Sequence, residues 1–235
     1  MGDASGEVRS NLESVASRMR SAARRAGRDP DDVTLIGVTK TVPAAHVLSA
    51  IESGLTHLGE NRVQDAGPKI EALAAAGKVT WHMIGHLQSN KAGRAVDLFS
   101  WIHSLDSVSL ARKVARRGVE TGARPRVLVQ VDLGREETKH GIEEALLREL
   151  VEEVASLEGL ELRGLMTLPP WSEDPEAARP FFRRLRALRD RLAAAGTPLP
   201  DLSMGMTDDF EVAIEEGATM IRVGRALFGD RPPIG

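Results

Sequence analysis

The chain has 235 residues, with 31 Lys plus Arg against 34 Asp plus Glu and a formal net charge of -3, so it lacks the broad basic field with which nucleic-acid binders displace counterions from phosphates. The absence of Cys and Tyr excludes disulfides, thiolate metal sites, a cysteine nucleophile and any step that needs a phenol as acid or base. The length suits a single α/β domain, MGDASGEVRSNLESV carries no signal-peptide core, and no run approaches the roughly 20 apolar residues of a membrane span, so a cytoplasmic protein with no membrane partner is expected.

An amphipathic helix with Val8, Leu12, Val15 and Met19 on one face comes first, and should either cap the bottom of a barrel or pack alongside it. Eight short β-rich runs then alternate with stretches of helical spacing: residues 33–39, 57–60, 81–85, 101–106, 126–133, 162–168, 202–206 and 220–224. The intervening helices show apolar residues three and four apart, as in Leu147, Leu150, Val151 and Val154, and Gly54, Gly196 and Gly217 stand where helices should stop. Strand and helix alternating eight times, with no linker-like segment, predicts an α/β fold: one (β/α)8 TIM-type barrel with an additional N-terminal helix. An open doubly wound sheet is the alternative, but strand one runs into Thr39-Lys40-Thr41 where a dinucleotide fold would place its glycine fingerprint.

In such a barrel the chemistry gathers at the C-terminal strand ends. Lys40 follows an apolar strand that would hold its amine partly desolvated, where the pKa falls and the neutral amine attacks carbonyls. Asn61 ends strand two and Lys139 follows strand five. The loops after strands seven and eight frequently build a phosphate site in this fold. Ser203 and Thr207 offer hydroxyls there, Gly205 and Gly224 permit close backbone approach, and the amides of Gly224, Arg225 and Ala226 open a helix. Arg222 interrupts an apolar strand and needs a partner, either a ring nitrogen or anion inside the barrel or a carboxylate on the helix side; the interior is favoured. Asp208 and Asp209 have the look of a catalytic carboxylate pair or a metal site, but Asp208 with Glu211 three residues on reads as a helix cap. His82 and His86 read as polar packing, since no carboxylate stands at convincing metal spacing, and no metal site is expected.

The segments GVTKTVP, HLGENRVQ, WHMIGHLQSNK, ETKHGI, LRGLMTL, LSMGMTDDFEVAI and TMIRVGRALFG, in this order and spanning nearly the whole chain, resemble the pyridoxal phosphate homeostasis protein family, relatives of the alanine racemase N-terminal barrel. The resemblance implies one domain over residues 1–235 that carries pyridoxal 5'-phosphate as a Schiff base on Lys40. It implies Asn61 beside the cofactor, Ser203, Thr207, Gly224 and Arg225 at the phosphate, Arg222 at the pyridine nitrogen and Lys139 in cofactor exchange. Arg225 stands where family members often carry Thr or Ser, which leaves its amide or guanidinium to serve. An Arg beside the ring nitrogen leaves the ring a weak electron sink, and racemases compensate with a second base, a Tyr that this chain does not have. The implied role is therefore cofactor buffering and delivery to apo-enzymes by a monomer, without catalysis. A racemase-like enzyme and a cofactor-free Schiff-base aldolase are the competing readings.

Overall fold

Apolar residues at period two in the strands and at three to four in the helices sort this chain into the parts of a barrel. The computed structural model describes residues 4–134 and 140–229. Helix α1 (Ala4–Arg25) precedes β1 (Thr34–Val38), α2 (Ala44–Glu52), β2 (His57–Glu60), α3 (Val63–Ala72), β3 (Thr80–Met83), α4 (Ala92–Leu98) and β4 (Trp101–Leu105). There follow α5 (Val108–Thr121), β5 (Arg126–Asp132), β6 (Ile142–Glu143), α6 (Glu144–Ser156), β7 (Glu161–Met166), α7 (Arg179–Ala194), β8 (Asp201–Ser203), α8 (Phe210–Glu215), β9 (Met220–Val223) and α9 (Arg225–Phe228).

All strand pairs are parallel, in the order β4-β3-β2-β1-β9-β8-β7-β5, and β4 also pairs with β5. That last pairing closes the ring and removes the open-sheet alternative. The eight strands read from the sequence are the eight staves. The largest difference is at β8, which ends at Ser203 because Gly205, at φ 92°, turns the chain. The two-residue β6 adds to β5 through Val131 and Ile142; it is too short to leave a periodic signal. Gly54, Gly196 and Gly217 terminate helices at φ 98°, 103° and 101°, the left-handed geometry that costs glycine nothing.

Period two also divides the core. Ile36, Trp101, Leu128, Met166 and Met220 form a small buried cluster inside the ring. The larger core, with Leu58, Ile102, Val127, Leu165 and Ile221, lies between strands and helices. Lys40 follows Ile36 on the inward register, and Arg222 and Gly224 follow Met220. Helix α1 packs alongside the barrel, against α2, α8 and α9. Val8 and Val15 are buried there, and Arg18 and Arg25 pair with Glu211 and Glu215 of α8.

Candidate functional site

The turn after β1 is built to hold Lys40. Thr41 adopts φ 64°, a conformation that β-branched residues rarely take and that clusters at binding sites. Below it, the buried Thr39 hydroxyl donates to Glu60 Oε1 at 2.7 Å, while Lys69 Nζ donates to Glu60 Oε1 at 2.5 Å and to the Thr39 carbonyl at 2.6 Å. Glu60 is thereby committed to the backbone that carries Lys40, and Lys40 itself is half-buried. Asn61 follows β2. A Cβ on Gly85 would lie 2.4 Å from the Asn61 carbonyl oxygen, so only glycine lets the loop after β3 press against it. Asn61 Oδ1 is buried with no hydrogen-bond partner among the described residues. The residue lines a cleft of about 280 Å³ bounded also by Arg62, Gly85, His86, Gln88 and Lys91.

Across the ring, Arg222 is buried in the interior, as expected. It donates from Nη1 to Ser203 Oγ at 2.5 Å and from Nη2 to the Thr167 carbonyl at 3.0 Å. Burial lowers its pKa to about 10, against a smaller raising effect from Asp209, so it stays charged at neutral pH. Two of its five N–H groups are used, and the Nε–H meets no acceptor among the described residues. Ser203 is fully buried beneath the mouth. Its hydroxyl is engaged by Arg222 and by His103, which ties it to the guanidinium on β9 and to the imidazole on β4.

Thr207 is half-buried and Gly224 stands at the N-terminus of α9, whose first N–H groups, those of Arg225 and Ala226, have no intrahelical acceptor. The Arg225 guanidinium is exposed and paired with Asp208. The helix-cap expectation for Asp208 is not met. Asp209 occupies the N-cap of α8 without a side-chain cap bond and instead accepts the Met206 N–H at 2.6 Å, so Asp209 braces its own loop while Asp208 ties that loop to the start of α9. Burial pushes the Asp209 carboxyl up despite that bond and Arg222. Lys139 lies outside the described residues.

The histidines hold what sequence reasoning missed. His57, His82 and His103 sit on three adjacent strands and meet in sequence: His57 Nδ1 to His82 Nε2, His82 Nδ1 to His103 Nε2 and His103 Nδ1 to Ser203 Oγ, each 2.9 Å. The only signal was their inward period, which sequence alone does not orient. His86 diverges to the mouth, where Nδ1 lies 3.5 Å from Asp106 Oδ2 and the ring stacks on His140 at 3.6 Å. A carboxylate does therefore stand beside His86, brought by the next strand end.

The chain matches the family described as "Alanine racemase, N-terminal domain" over residues 10–232. It is 45% identical over 221 residues to the pyridoxal phosphate homeostasis protein of Aquifex aeolicus, covering 94% of this chain and 96% of that relative. The chain belongs to the pyridoxal phosphate homeostasis protein family. A solved structure of another protein, PipY of Synechococcus elongatus with PLP bound, is 39% identical, with a TM-score of 0.81 over 92% of this chain and 100% of PipY. Alanine racemase of Clostridium difficile, 18% identical with a TM-score of 0.73, shares the fold over 97% of this chain and 57% of its own. Membership in the homeostasis family and the closed barrel agree with the resemblance carried by the seven sequence segments.

Proposed function

We propose that this protein binds pyridoxal 5'-phosphate as a Schiff base on Lys40 and serves intracellular homeostasis of that cofactor, buffering it and delivering it to apo-enzymes in the cytoplasm as a monomer. When bound, the cofactor supplies an aldehyde for the amine and a ring that delocalises negative charge. The observation that carries the reading is Arg222: a buried guanidinium on the inward register of β9, with N–H capacity left over, suits a neutral ring nitrogen. Asn61 Oδ1 is a buried acceptor in want of a donor, and the Lys40 turn is fixed by the Thr39, Glu60 and Lys69 hydrogen bonds. These features fit the cofactor. Thr207 and the amides of Gly224 and Arg225 are assigned to its phosphate, with Ser203 acting through Arg222.

An Arg at the ring nitrogen leaves it unprotonated and the ring a poor electron sink, which favours storage over carbanion chemistry. The test is to mix purified protein with pyridoxal phosphate, reduce with borohydride and map the modified peptide. Label on Lys40, together with loss of the visible absorbance band in Lys40→Ala, is the expected result. Label scattered over surface lysines, or an unchanged band in Lys40→Ala, overturns it.

A further inference from the structure

Four hydrogen bonds run in single file through the barrel, from His57 at the N-terminal end of β2 through His82 and His103 to Ser203 and Arg222. The step from His103 to Ser203 crosses the interior from β4 to β8, and the remaining steps join neighbouring strands. We propose that His57, His82, His103 and Ser203 are positioning residues: a chain with one fixed proton direction that anchors the Arg222 guanidinium from the floor of the barrel.

The direction follows from donor and acceptor capacity. A guanidinium only donates, so Ser203 Oγ accepts from Arg222 at 2.5 Å. If His103 Nδ1 also donated to that oxygen, the buried Ser203 O–H would be left without an acceptor, because no third partner of Ser203 Oγ exists among the described residues. An orphaned buried hydroxyl carries the full desolvation penalty of its O–H with nothing to offset it. Ser203 therefore donates to His103 Nδ1. His103 must then carry its proton on Nε2 and donate to His82 Nδ1, and His82 in turn donates from Nε2 to His57 Nδ1. Every proton points away from Arg222.

Burial supports neutral rings throughout. His103 is pushed well below the usual imidazole value by burial and then by the Arg222 charge, and His82 likewise by burial and then by His103, His57 and Arg126, while the half-buried His57 is lowered by burial. Trp101 stacks on His82 at 5.7 Å and 13°, closing that ring off from water. The chain is thus a rigid polar layer inside a barrel that apolar side chains would normally fill.

The chain itself stands apart from the cofactor reading; its effect on the ligand rests on that reading. Long-range ¹H–¹⁵N spectra of histidine-labelled, ligand-free protein should show His82 and His103 as neutral Nε2–H tautomers at neutral pH, and Ser203→Ala should shift or mix the His103 tautomer. Either ring protonated, an Nδ1–H tautomer, or an unchanged His103 in Ser203→Ala overturns the proposal. Pyridoxal phosphate titrations then read the effect on Arg222. His82→Phe should weaken binding about tenfold and shift the bound absorbance band, with recovery in His82→Gln, whose amide again offers one donor and one acceptor. Wild-type affinity and spectrum in His82→Phe would refute the link to Arg222. A wild-type protein that takes up no pyridoxal phosphate would sink the functional reading while leaving the tautomer result to decide the chain.

Discussion

Two glycines show how one residue type answers to different causes. An alanine Cβ at Gly224 would lie 3.5 Å from Val38, an ordinary contact, and its φ of -115° suits any residue. Nothing among the described residues demands glycine there, whereas a phosphate drawn close to the α9 amides would. Gly224→Ala should therefore keep the wild-type unfolding midpoint and bind pyridoxal phosphate at least about tenfold more weakly, measured by urea titration and by absorbance titration. Equal affinity would remove the phosphate from this loop. Arg222 makes the matching point for charge. Its burial is tolerated because Ser203 and Thr167 accept from it, and neither partner is a carboxylate that would neutralise it.

At the scale of the element, the loop between β8 and α8 is held by Asp209 from within and by Arg225 from the start of α9. Gly205 sits at φ 92°, and a Cβ there would lie 2.5 Å from Ala213 Cβ and 3.0 Å from Phe210 Cα, so the packing of α8 by itself requires this glycine. Its carbonyl accepts the Arg222 N–H at 3.0 Å, linking the loop to β9. Gly205→Ala combines a strained φ with overpacking and should cost about 1–3 kcal/mol, read from urea unfolding. A loss under about 0.5 kcal/mol would mean that the loop relaxes freely. The strands, the stops at Gly54, Gly196 and Gly217, and the N-terminal amphipathic face were legible because each is a local pattern. The committed partners of Asp208 and Asp209 were not, because Arg225 comes from another loop and a cap and a loop brace look alike in sequence.

For the molecule as a whole, the buried histidines couple the fold to pH. His82 and His103 are held neutral in the folded state, well below the 6.5 they recover on unfolding. The unfolded chain therefore binds protons that the barrel refuses. Stability is fully present above about pH 6.5 and falls as pH drops below it, with a slope approaching 1.4 kcal/mol per pH unit for each ring until the folded values are reached. Urea midpoints between about pH 7 and pH 5 test this, and a flat profile there would show that the rings take up protons without unfolding.

The sequence by itself determined the staves, the helices between them, and the lysine, asparagine and arginine at strand ends, because hydrophobic period and strand termini are written in consecutive residues. Tertiary structure alone decided that β4 meets β5, that Ser203 turns to Arg222, and that three histidines between positions 57 and 103 form one file of hydrogen bonds. Those pairings depend on which inward-facing side chains ring closure brings within 3 Å of one another, and a closed ring sets residues a hundred positions apart face to face.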